Sequence, residues 1–161
     1  MITIKSEPLS AEAFAPFGAV FEAPADKRVY LDSSLVNRRP VAAKASFSLV
    51  QVAPKSERPL PLSIVERHEY SSQSFTPMDP GRFLVVAAPK NADGGADLSQ
   101  IRAFVGRDFQ SFTYGPDVWH GPITALDNPQ RFAIMMFNDG ASGDEDVVRH
   151  AAPFAVVELG F

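Results

Sequence analysis

The chain has 161 residues, 45% of them hydrophobic, and no cysteine, so it can bury a core without disulfides, and thiolate metal sites and cysteine nucleophiles are excluded. Its formal net charge is −4 and no basic run stands out, which argues against nucleic acid and anionic membrane as partners. No apolar stretch approaches the roughly 18 residues of a membrane span, and Met1-Ile2-Thr3-Ile4-Lys5 reads as a first strand rather than a signal peptide, so a cytoplasmic protein is expected.

Fourteen prolines and ten glycines punctuate short apolar runs, the rhythm of an all-β domain. Ser10 is an N-cap for a short helix over Ala11-Glu12-Ala13-Phe14, which Pro16 and Gly18 end. Residues 24–40 are polar, carry Pro and Arg, and are expected to loop over the surface. Ala45 to Val52 is a strand candidate, and Leu62 to Tyr70 alternates with period two. Phe83 to Ala88 is apolar throughout and is expected to be a central strand buried on both faces. Asn91 to Gly95 makes a turn, and Asp97 caps one helical turn over Leu98 to Ile101. Phe104-Val105 and Phe109 to Tyr114 are expected to pair as a hairpin around Gly106-Arg107-Asp108. Val118 to Leu126 and Phe132 to Phe137 follow as strands, parted by the turn Asp127-Asn128-Pro129. Asp139 to Asp146 is an acidic loop, and Ala155-Val156-Val157 a closing strand. No repeat, linker or boundary is visible, so residues 1–161 are expected to form one domain, a sandwich or barrel.

Alternate residues of a strand share a face. Leu62, Ile64, Glu66, His68 and Tyr70 therefore line up, with Ser63, Val65, Arg67 and Glu69 opposite. The apolar start of the first face turns it inward and carries Glu66 and His68 into the interior. A carboxylate and an imidazole there need a partner, water or a metal. The alternative is a surface strand with both groups solvated. Tyr114-Gly115-Pro116-Asp117-Val118-Trp119-His120 joins a strong turn signal to the one tryptophan and the second of three histidines. A histidine leaving a tight turn can be held toward a cavity. The alternative is core packing for Trp119 and a backbone carbonyl partner for His120. His150, beside Arg149, has no role assigned. Ser46, Ser48 and Ser111 lack a nucleophile-elbow context, and there is no nucleotide fingerprint.

Four blocks lie in order along the chain. Pro8-Leu9, Glu12-Ala13-Phe14 and Phe17-Gly18 come first; Glu66-Arg67-His68 with Ser72-Gln73-Ser74-Phe75 and Pro77 comes second. Asp97-Leu98 to Arg102-Ala103-Phe104 is third, and Val118-Trp119-His120 with Pro122 is fourth. Together they resemble the ureidoglycolate lyase family. The chain departs from the family's usual bacterial pattern at Thr113, Gly115, Pro116 and Gly121, while its closing segment, Phe137 to Gly140 and Asp144-Glu145-Asp146, is closer to the fungal branch.

The resemblance implies an all-β, cupin-like β-barrel or jelly roll with one or two short helices, usually a homodimer. It implies elimination of urea from ureidoglycolate to give glyoxylate, in allantoin and purine nitrogen breakdown. Glu66, His68 and His120 would be catalytic, and Arg38, Gln73, Tyr114 and Trp119 would contact the substrate. A divalent metal, nickel favoured, would sit on Glu66, His68, Gln73 and His120, with no nucleotide or organic cofactor. Two other readings use the same positions. One is a metal-dependent cupin oxygenase or isomerase, which normally prefers His-x-His to Glu66-x-His68. The other is a cupin module that binds a small acid without turning it over.

Overall fold

The computed structural model describes residues 1–25, 28–39 and 43–160. Strands β1 (Ile2–Lys5) and β2 (Glu7–Pro8) precede the one-turn helix α1 (Ala11–Phe14), and β3 (Gly18–Phe21) follows it. Ser10 Oγ accepts from the Ala13 N–H at 3.1 Å and caps α1, as its sequence predicts. Next come β4 (Lys44–Val52), β5 (Leu60–Leu62), β6 (Ile64–Arg67), β7 (Gln73–Pro77) and β8 (Phe83–Ala88). The chain continues through β9 (Arg102–Gly106), β10 (Ser111–Tyr114), β11 (Trp119–His120) and β12 (Thr124–Ala125). It ends with β13 (Gln130–Asn138), β14 (Asp146–Arg149) and β15 (Ala155–Glu158). The all-β class with short helices therefore holds. Among the described residues no helix is long and apolar enough to cross a membrane.

The strands form three layers. One barrel wall runs β14-β6-β11-β8-β9-β2, with β12 also paired to β8; the other runs β3-β10-β7-β13-β4. A third sheet, β1-β15-β5, packs on the outside of the first wall. Strand β8 shows why. Phe83, Val85 and Ala87 point into the barrel among Phe75, Phe104, Phe112 and Phe132. Leu84, Val86 and Ala88 point the other way, against Ile4, Leu60, Ala155 and Val157. None of its six residues is more than 3% exposed, so the expected burial on both faces is what the continuous apolar run produces.

Three expectations need correction. The stretch Leu62 to Tyr70 is two strands, not one. Strand β5 pairs with β15 in the outer sheet, while β6 joins the barrel wall between β14 and β11. The chain changes sheet at Ser63, whose carbonyl accepts the His150 N–H at 2.8 Å. The proposed hairpin of Phe104-Val105 with Phe109 to Tyr114 does not form. Strand β9 pairs with β8 and β2, and β10 pairs with β3 and β7 on the opposite wall. Both Phe104 and Phe112 are needed in the interior, and they reach it from facing sheets. Val118 to Leu126 divides into β11 and β12 around Gly121-Pro122-Ile123, where Pro122 has no N–H to give a ladder. Within the expected surface loop 24–40, residues 26, 27 and 40 lie outside the described residues. The rest holds one 3-10 turn, Asp32–Ser34, and a bridge from Asn37 to Ser71.

Candidate active site

Glu66 and His120 are direct cross-strand partners in the β6–β11 ladder, so their side chains leave the same face side by side. His68 lies just past the end of β6, two residues on from Glu66. The strand period brings it round to that face, and its ring centroid lies 5.5 Å from that of His120. One ligand atom from each of Glu66, His68 and His120 lies within 4.8 Å of the others. The sequence spacing put Glu66 and His68 on one face, the turn before His120 aimed that residue at a cavity, and the fold brings all three together.

The two imidazoles are held alike. His68 Nδ1 donates to the Asp144 carbonyl at 2.9 Å, and His120 Nδ1 donates to the Val118 carbonyl at 2.9 Å. A carbonyl can only accept, so each ring carries its proton on Nδ1 and turns an Nε2 lone pair to the interior. Both Nε2 atoms are buried and have no hydrogen-bond partner. His120 Nε2 is 3.4 Å from Glu66 Oε1, an electrostatic contact too long for a strong hydrogen bond. Burial pushes the Glu66 carboxyl up, but a protonated His120, by hydrogen bond and charge, and then a protonated His68 outweigh it and draw the group below its ordinary value. Burial holds His68 below its ordinary value, and the Asp144 carbonyl only partly offsets this.

Tyr114 and Gln73 complete the inner surface from the opposite wall. The Tyr114 ring stacks on His120, 4.1 Å between centroids with 18° between planes, and its hydroxyl donates to the Val86 carbonyl at 3.3 Å. Burial raises its pKa well above the ordinary tyrosine value, with the Glu66 charge adding to the effect. Gln73 is the register partner of Tyr114 and shares the inward face of β7 with Phe75. Its Oε1 is buried without a partner, and its Nε2 has only the Met136 sulfur at 3.9 Å.

Two of the expected substrate contacts lie elsewhere. Trp119 precedes His120 in its strand and so faces outward, where it packs in the core beneath the third sheet. Its Nε1 donates to the Gly94 carbonyl at 3.1 Å, and the Arg67 guanidinium lies 5.0 Å from its ring. This is the core-packing alternative for that residue. Arg38 is exposed, with its backbone N–H donating to the Tyr70 carbonyl at 2.7 Å. An apolar hollow of about 410 Å3, lined by Phe21, Pro24, Val29, Leu31, Pro77 and Phe109 among others, shares no residue with the triad.

The loop read only as acidic supplies two contacts. Besides the Asp144 carbonyl, it places Glu145 near Glu66, and burial, then the Glu66 charge, raise the Glu145 pKa. Glu145 sits one residue before β14, whose Val147 pairs with Glu66. Its signal in the sequence was the run Asp144-Glu145-Asp146, which does not distinguish a site carboxylate from two structural neighbours.

Buried, partnerless nitrogens beside a carboxylate are what a divalent metal ion would satisfy. His68 Nε2, His120 Nε2 and Glu66 fit one by donor type, and Gln73 Oε1 is a further orphaned donor on the facing wall.

Residues 1–157 match the family model described as ureidoglycolate lyase. A ureidoglycolate lyase of Mesorhizobium japonicum is 35% identical over 161 aligned positions, covering 94% of this chain and 96% of that protein. One from Burkholderia mallei is 35% identical, covering 84% and 82% respectively, and one from Brucella ovis is 31% identical, covering 83% and 82%. Among solved structures, a dTDP sugar isomerase from Desulfovibrio desulfuricans aligns at a TM-score of 0.48 with 19% identity over 84% of each chain. The chain belongs to the ureidoglycolate lyase family.

Proposed function

We propose that this protein eliminates urea from ureidoglycolate and leaves glyoxylate. The observation that carries the reading is the pair of buried, unpartnered Nε2 atoms converging with Glu66 in a chain of this family. Ureidoglycolate is a carbinolamide, with a hydroxyl and a urea nitrogen on the carbon that bears the carboxylate. Breaking its C–N bond needs a base for the hydroxyl proton, an acid for the departing nitrogen, and no electron carrier. Glu66, ionised, takes the hydroxyl proton as the C=O bond forms and the C–N electron pair leaves with urea. Glu145, whose pKa burial and the Glu66 charge raise, gives a proton to that nitrogen. A proton returned from Glu66 to Glu145 then restores both groups. Gln73, with donor and acceptor on one amide, suits recognition of the urea end. His68 and His120 hold a lone pair each toward the reacting carbon.

The donor set of two imidazoles and one carboxylate, with Gln73 within reach of the same interior, suits first-row divalent ions, nickel among them. Such an ion would polarise the hydroxyl and lower its pKa. A homodimer and a cytoplasmic setting belong to the same reading; the outer edge of β4, where Phe47 is 71% and Leu49 64% exposed, offers an apolar face for a second copy.

Incubation of purified protein with ureidoglycolate tests the reading, before and after chelation and with nickel, manganese or zinc restored. Urea and glyoxylate should appear in equal amounts, and chelation should lower the rate reversibly. Ammonia and carbon dioxide without urea would mean amide hydrolysis instead. A rate indifferent to chelation and to every added ion would remove the metal and leave the acid–base groups alone.

A further inference from the structure

Sequence reasoning picked Arg38 as the functional arginine of its loop, but it is the neighbouring Arg39 that the fold buries. Its side chain is 9% exposed and forms ion pairs with Asp139 and with Asp144, the first at 3.0 Å. Its guanidinium also lies 5.3 Å from the centre of the Tyr70 ring, within range of a cation–π contact. The Asp144 carboxylate in turn accepts the N–H groups of Asp139 at 3.2 Å and Gly140 at 2.8 Å, folding residues 139–144 into a compact turn. That turn ends on the Asp144 carbonyl that accepts from His68 Nδ1, and next to it on Glu145, which the Glu66 charge influences.

We propose that Arg39 is a positioning residue that, by tying Asp139 and Asp144, sets the tautomer and orientation of His68 and the placement of Glu145 against Glu66. Three points support it. The backbone group that holds His68 belongs to the residue whose side chain Arg39 grips, so displacing the turn displaces the acceptor. Between the end of β13 at Asn138 and the start of β14, whose ladder with β6 fixes the far end, it is Arg39 whose side chain ties this exposed turn to another segment through Asp139 and Asp144. Arg39 itself is short of partners elsewhere: its Nε is buried without one, so its hydrogen-bonding is concentrated on the acidic turn. An imidazole that loses its Nδ1 acceptor is free to move the proton to Nε2, which removes the lone pair the site presents.

The inference rests on the proposed function for the use of the His68 lone pair, but its test needs no substrate. Imidazole 15N spectra of the metal-free protein report which ring nitrogen carries the proton. Wild-type His68 should show the Nδ1–H form. Arg39→Ala should show a mixture with the Nε2–H form, Arg39→Lys should recover part of the wild-type pattern, and His120, held by Val118, should not change. Affinity for manganese or nickel, measured by titration, should fall by about 10- to 100-fold in Arg39→Ala, the usual cost of losing an outer partner of a ligand. Should Arg39→Ala fail to fold, Asp144→Asn serves, because it removes the paired charge yet keeps the main-chain carbonyl and an acceptor for the turn; the same His68 shift is expected. A folded Arg39→Ala or Asp144→Asn protein with an unchanged His68 tautomer and unchanged metal affinity overturns the proposal, whatever happens to its melting temperature. If wild-type protein releases no urea but the His68 shift is seen, the reaction assignment falls and the role of Arg39 stands.

Discussion

The barrel interior has two ends built by the same strands. At one end rings close on rings: Phe75 stacks on Phe112 at 5.1 Å, and Phe83 lies 5.8 Å from Phe112 and 5.6 Å from Phe132. At the other end Gln73, His68 and His120 keep buried polar atoms without partners. The change happens along single strands. The inward residues of β8 shrink from Phe83 through Val85 to Ala87, and Ala87 is the register partner of His120. On β7 they pass from Phe75 to Gln73, and on β10 from Phe112 to Tyr114, whose ring touches both Phe112 and His120. The polar end exists because the core side chains taper and leave room. The aromatic end supplies the folding energy that an unsatisfied polar site withholds.

This contrast can be broken by mutation. Phe112→Ala removes the ring at the centre of the aromatic end and should destabilise the fold by about 3–5 kcal/mol, measured by denaturant unfolding. Turnover per folded molecule should stay within a few-fold of wild type. A stable Phe112→Ala protein with lost turnover would mean the two ends are not separable. A smaller effect comes from pH. Burial holds the folded-state pKa of His68 below its ordinary 6.5, so below that value the unfolded chain takes up a proton that the folded one does not. Stability of the metal-free protein should therefore fall as pH drops through 6.5 and below, and be unaffected by this group above it. His68→Gln should flatten that part of the curve of melting temperature against pH; an unchanged slope would show that His68 is not held neutral.

The sequence marked the two ends unequally. The aromatic end was legible as strands because Phe83 to Ala88 and Phe132 to Phe137 are continuous apolar runs, and β8 behaves as such a run must. The pairing of strands was less legible. Phe104 and Phe112 both seek the interior, but nothing local says that they come from facing walls rather than one hairpin. At the polar end, period-two spacing put Glu66 and His68 together, and the turn at Gly115-Pro116-Asp117 pointed to His120. Asp117 there has φ 66 and donates its N–H to the His68 carbonyl at 2.9 Å, a tie between the two segments that only the fold reveals. Arg39 and Glu145 were invisible because their roles come from contacts across about a hundred residues or across a ladder, and an Arg-Arg pair or an acidic triplet looks the same when solvated. Trp119 looked like a site residue through its adjacency to His120, yet adjacency in a strand means opposite faces.

The central claim is that the polar end does chemistry and the aromatic end does not, and His120→Asn tests it most directly. The replacement keeps roughly the size of the side chain and a polar group near the Val118 carbonyl, while removing the Nε2 lone pair. Turnover and melting temperature should be measured on the same sample, with His150→Asn beside it. The account predicts at least about a hundredfold loss of turnover with a stability change below about 2 kcal/mol, and little change in either quantity for His150→Asn. A His120→Asn protein that is folded and fully active would contradict it.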